Sequence, residues 1–150
     1  MDDLQKLAQE YFDAVKPMQL ATANGDHPWI CTVYFAADAH GNLYWMSARE
    51  RQHSQEILSN PNVAIAIVKD TERKQAIQAI GTAQEVLDEE LETVHALYTG
   101  KYGPKEYDLS EIKKHVPQGR AYWVFRPTKM FFWDEVNFPE APKQEIRLYS

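Results

Sequence analysis

The chain has one cysteine, Cys31, so neither an internal disulfide framework nor a multi-cysteine zinc site is open to it. No apolar run approaches the length of a membrane span, and the first residues, MDDLQKLAQE, are acidic rather than signal-like. The expected setting is therefore a reducing, cytoplasmic one. A formal net charge of −6 provides no field for a polyphosphate backbone and disfavours nucleic acid as a partner. The five histidines show no metal-binding spacing, which argues against a metal site. G-x-S-x-G, P-loop and G-x-G-x-x-G patterns are missing too, which removes the usual support for hydrolase, nucleotide-triphosphatase and Rossmann readings. There is no repeat or linker-like stretch, and 150 residues suit one domain over 1–150.

What the chain does have is aromatic residues, eighteen of them, four being tryptophan. Residues 2–16 carry apolar side chains at three- and four-residue steps (Leu4, Leu7, Ala8, Tyr11, Phe12, Val15) and stop at Pro17, which predicts an N-terminal helix over 1–16. From residue 18 the period becomes that of strands. MQLATA leads through Asn24-Gly25-Asp26, a tight-turn signal, into PWICTVYFAA, and a further turn at 38–42 leads to LYWMS. Residues 48–61 read as a short helix halted by Pro61, VAIAIVK as a covered strand, and 75–86 as a strand whose internal glycine suggests a bulge or a close backbone approach. Two more helices, near 87–100 and 108–115, precede the aromatic run 119–135, which is either two strands broken at Pro127 or one bent strand. The tail, 136–150, has little periodicity and is expected to be irregular. The fold expected is mainly β: a six- to seven-stranded antiparallel barrel with peripheral helices.

The best candidate anion site in this acidic chain is the basic cluster Ser47-Ala48-Arg49-Glu50-Arg51-Gln52-His53-Ser54, at a strand end that enters a helix. Free N–H groups at a helix start attract anions, and Arg51 can fork two hydrogen bonds onto a phosphate. The alternative is a solvated turn whose arginines pair with Glu50 and Glu56. Trp45, Trp123 and Phe131–Trp133 offer stacking surface for a planar ligand or, equally, a barrel core and dimer interface. Gln75 and Gln78 are either exposed strand residues or donors to a ring carbonyl. No residue is marked by spacing as a general acid or base.

In order and spacing, LATANGDHPWICTVYFAADAHGNLYWMS, RQHSQEILSNPNVAIAIV, QAIQAIGTAQEV and YWVFRPTKMFFWD resemble the pyridoxamine 5′-phosphate oxidase-like family of FMN-binding split barrels, over about residues 18–135. The resemblance implies a homodimer with FMN in clefts between subunits and oxidoreductase chemistry on a small molecule. It implies that residues 30–35 run along the flavin, with Thr32 and Val33 offering backbone contacts. Ser47 falls near the phosphate, and Arg51, Gln52 and His53 on the phosphate-binding turn. Gln75 or Gln78 would approach the cofactor, and Trp123 or Phe131–Trp133 would come from the opposite subunit. The turn reads Gln52-His53 where members that oxidise pyridoxamine phosphate carry an Arg-Lys pair, and no histidine follows His115. Other split barrels suggest a deazaflavin-dependent reductase or a non-catalytic flavin- or haem-binding module.

Overall fold

The computed structural model describes residues 1–149. Seven strands form one antiparallel sheet, β1 (Pro17–Asn24), β2 (His27–Ala37), β3 (Leu43–Ala48), β4 (Asn62–Asp70), β5 (Gln75–Glu85), β6 (Arg120–Asp134) and β7 (Lys143–Ile146). Their order is β3-β2-β1-β4-β5-β6-β7, and a further β3–β6 pairing closes the first six into a barrel. The expected split barrel is therefore what the chain forms. Four α-helices accompany it: α1 (Asp3–Ala14), α2 (Gln52–Ser59), α3 (Leu91–Tyr102) and α4 (Leu109–Ile112). No helix among the described residues is long and apolar enough to cross a membrane.

Local chemistry explains the element boundaries. Asp2 caps α1 by accepting from the Gln5 N–H while the Gln5 side chain accepts from the Asp2 N–H, a reciprocal capping box. At its other end, the Lys101 ammonium on α3 donates to the carbonyls of Phe12 and Val15, and to that of Phe35 on β2. Gly25, at φ 60°, makes the β1–β2 turn. Alternation along the strands sends Met18, Leu20, Phe35, Trp45, Ile65, Ile67, Ile77 and Trp123 into the barrel. The neighbouring residues Tyr44, Tyr122 and Val124 face outward, where α3 and α4 cover them with Leu91, Val94, Tyr98 and Ile112.

The aromatic run 119–135 is one bent strand. β6 pairs with β3 from Arg120 to Phe125 and with β7 from Met130 to Trp133, leaving residues 126–129 unpaired on that edge. Pro127 lies in this gap, where its missing N–H breaks no ladder bond. Opposite, the β5–β6 register shifts between Ile80 and Gly81, so the glycine does mark a bulge. The tail departs from expectation, since Lys143–Ile146 add the strand β7 at the edge and bury Ile146.

Asp134, fully buried at the end of β6, ties the far end of the barrel together. It accepts from the Tyr11 hydroxyl at 2.7 Å, the Asn137 amide at 2.7 Å, the Gln75 amide at 3.4 Å and two backbone N–H groups. Burial by itself would raise its pKa, but these donors outweigh burial and hold the carboxyl below its usual value. A group depressed in the folded state adds stability above its unfolded pKa, and this contribution disappears as pH falls below about 4. Asp134→Asn is expected to lower stability at neutral pH by about 1–2 kcal/mol and to flatten the acid limb of a pH–stability curve followed by urea unfolding.

Candidate functional site

The barrel is split between β2 and β3. These strands pair only at Phe35–Trp45, Ala36–Tyr44 and Ala37–Leu43. Beyond that point β3 follows β6 while β2 follows β1, and the two diverge. The Phe35 N–H donates to the Lys16 carbonyl on the β1 side, so strand alternation turns the N–H and C=O of residues 33 and 35 toward β1. The same alternation aims those of Thr32 and Tyr34 into the split, and the Tyr34 carbonyl duly accepts from the Tyr98 hydroxyl on α3 at 3.2 Å. Across the gap the Arg49 N–H pairs with the Gly119 carbonyl, which leaves the Met46 backbone facing the cleft. The cleft holds about 400 Å³ and is lined by Thr32, Val33, Tyr34, Met46, Ser47, Ala48, Arg51, His53, Tyr98 and Arg120.

One end of the cleft is polar and cationic. β3 delivers Ser47, whose Oγ lies 2.8 Å from His53 Nε2 on the first turn of α2. Arg51 occupies the N-cap position of α2 without a side-chain cap bond, and no acidic residue stands in the helix's first turn. The positive end of α2 therefore stays uncompensated by its own side chains. Arg51 is exposed, as is Arg120 at the start of β6 opposite Ala48. Neither guanidinium has a carboxylate within 4 Å among the described residues. Burial and the neighbouring Arg51 charge lower the His53 pKa against the opposing pull of Glu56, which favours the neutral ring.

Arg49 differs entirely from Arg51. It is buried and forks onto Glu85 at 3.0 and 2.8 Å, while donating to the carbonyls of Val116 and Ile112. It fastens the segment carrying α4 to the barrel and offers nothing to a ligand.

Of the residues predicted from sequence, the cleft brings together Thr32, Val33, Ser47, Arg51 and His53. The Val33 backbone faces β1, so the edge groups come from Thr32. The other four are elsewhere. Gln52 lies on the outer side of α2 and donates to Glu56 at 3.0 Å. Gln75 is buried at the opposite end of the barrel against Asp134. Trp123 is wholly inside the barrel, where its indole N–H donates to the Ser47 carbonyl at 3.1 Å and supports the cleft from behind. Gln78 lies exposed on the outer face, in a row with Thr32, Gln19, Ala66 and Phe131. Sequence reading missed Arg120, Tyr98, Tyr34 and Met46. For Arg120 the available signal was a cation at the head of the strand that pairs with the basic turn.

That outer face is unusually apolar. Ile30, Ala21, Ala64 and Ile80 form one cross-strand row over β2-β1-β4-β5, with Ile30 63% and Ile80 54% exposed. Tyr34, Val68 and Trp133 add exposed side chains farther along the barrel.

A neutral imidazole beside a hydroxyl, two free arginines, an open helix start and unpaired strand edges can hold a ligand with an anionic end and a flat body bearing polar ring atoms. The model of the pyridoxamine 5′-phosphate oxidase family matches residues 4–134. No curated protein matches the sequence. Among solved structures, general stress protein 26 from Bacillus anthracis superposes with a TM-score of 0.68 at 17% identity, over 98% of this chain and 100% of that one. A Clostridium acetobutylicum protein related to general stress protein 26, of the pyridoxinephosphate oxidase family, gives 0.67 at 10% identity, over 98% and 96%. A heme-binding protein from Mycobacterium smegmatis gives 0.67 at 16%, over 88% of this chain and 54% of that one. At these identities the solved structures show a shared fold.

Proposed function

The chain belongs to the pyridoxamine 5′-phosphate oxidase family, and we propose that it is a cytoplasmic FMN-binding flavoprotein with oxidoreductase chemistry on a small molecule. The observation that carries this reading is the cleft in the split, with its cationic end and its unpaired strand edges. The donor set fits a phosphate monoester: Arg51 and Arg120 are free of carboxylates, Ser47 presents a hydroxyl, and α2 opens with unfilled N–H groups. Thr32 and Met46 would offer backbone donors and acceptors to the polar edge of a flavin ring, with Tyr34 and Tyr98 lining the same cleft. When bound, FMN supplies hydride and single-electron transfer, which no side chain of the cleft provides.

The apolar outer face suits a second copy of the chain, giving a homodimer with the clefts at the interface. Gln78 lies on that face, so its amide is placed to act only at such an interface. Flavin binding is tested by purifying the protein, recording its visible spectrum, identifying any released chromophore by mass, and titrating the stripped protein with FMN. A yellow protein sedimenting as a dimer is expected. A colourless protein that takes up no FMN refutes the assignment, and haem or deazaflavin in the released fraction replaces it. Bleaching of the bound flavin by NAD(P)H distinguishes a reductase from a passive binder.

A further inference from the structure

We propose that docking of a phosphoryl group in this cleft is coupled to protonation of His53, so that the protein takes up a proton as the ligand binds. The inference rests on the phosphate-binding reading above and adds its regulation.

The geometry is that of a relay between an anion and a titrating ring. Ser47 Oγ lines the cleft and touches His53 Nε2 at 2.8 Å. With Nε2 unprotonated, the Ser47 hydroxyl proton points at the ring and only lone pairs face the cleft. An imidazolium, like the neutral tautomer with its proton on Nε2, donates to Oγ and turns the hydroxyl proton outward, and it alone adds a positive charge facing the anion.

The charges around the ring are of both signs. From its own helix His53 faces Arg51 and, one turn on, Glu56, whose carboxylate is held by Thr22 of β1 at 2.6 Å and by Gln52. Cys31 of β2 lies near Glu56. Arg120 of β6 and Tyr98 of α3 line the same cleft. Burial and the Arg51 charge oppose a positive ring, and Glu56 offsets them only in part. A dianionic phosphoryl group between Arg51 and Arg120 cancels that opposition and adds an attraction of its own. Coupling is reciprocal, so if the anion favours the imidazolium then the imidazolium favours the anion.

The test is isothermal titration of FMN into the dimer near pH 7 in buffers of different ionisation enthalpy. A free phosphate monoester is then mostly dianionic, its second pKa being about 6, so a net proton count belongs to the protein. The expected result is uptake of roughly half a proton or more, and affinity that tightens by up to about tenfold per pH unit as pH falls from 8.5 toward 6.5. His53→Gln should bind FMN more weakly than the wild type toward pH 6.5, with a flat pH profile and no uptake, and riboflavin, which lacks the phosphate, should show no uptake on the wild-type protein. FMN binding with no proton uptake and a flat wild-type profile overturns the inference while leaving the flavin reading intact. Equal uptake with riboflavin also overturns it. Failure to bind FMN at any pH removes both.

Discussion

Arg51→Ala is expected to weaken FMN binding about ten- to a hundredfold without unfolding the protein, because one charge-assisted contact to phosphate is worth about 1.5–3 kcal/mol. Arg51 has no intramolecular ion pair among the described residues, and its side chain caps nothing. Its loss therefore falls on the ligand. The opposite outcome is expected two residues earlier. Arg49→Ala leaves Glu85 half of a broken pair and removes the side-chain donor from the carbonyls of Ile112 and Val116, which keep one backbone N–H each. The cost is about 3 kcal/mol, or a fall in Tm of roughly 10 °C for a chain of this size. Fluorescence titration with FMN and a thermal scan on both variants read the contrast. Unchanged affinity in Arg51→Ala, or an unchanged Tm in Arg49→Ala, removes the division of labour between these two arginines.

That division marks how far the sequence could be read. The basic turn was legible because a hydroxyl, two arginines and a histidine sit at a strand-to-helix junction in an acidic chain. Which arginine faces the ligand was not legible. Two residues along an irregular turn, the side chains point to different neighbours, and Arg49 is claimed by Glu85, 36 residues away. Arg120 carried only the weak signal of a cation at the head of a strand, since it joins the cleft through β3–β6 pairing, which the sequence does not fix.

The strands were legible from their period of two, yet the destination of the aromatics depended on the bulge. In the first half of β6 the odd residues Ala121, Trp123 and Phe125 fill the barrel. Past Thr128 the even residues Met130 and Phe132 do so, and Trp133 is left outside. One inserted residue exchanges the faces, and nothing local to the sequence fixes where it is inserted. Four-residue β7 escaped detection because it buries a single apolar side chain, Ile146, and so carries no alternation to read.

The bulge supplies the largest stability effect expected from any single methyl group. Gly81 lies opposite Pro127 where the β5–β6 register shifts. A Cβ added there would stand 2.1 Å from the Arg126 carbonyl oxygen, and 2.9 Å from both the Arg126 carbonyl carbon and a Phe125 ring carbon. The first obstacle is backbone and cannot rotate away, so β6 would have to move off β5. That movement would disturb the face exchange that seats Met130 and Phe132 inside the barrel and holds Arg120 and Trp123 against β3. Gly81→Ala is therefore expected to cost about 3 kcal/mol or more, at the upper end of overpacking effects. Gly100→Ala is the matched control. It adds the same methyl within α3, where nothing lies within 4 Å, and removing the backbone freedom of glycine from a helix should raise stability by up to about 1 kcal/mol. Urea unfolding of the two variants reads opposite signs from one chemical change. If Gly81→Ala unfolds at the wild-type midpoint, the close approach of β6 to β5 is absent, and with it the strand geometry that opens the cleft at one end of the barrel while closing the other.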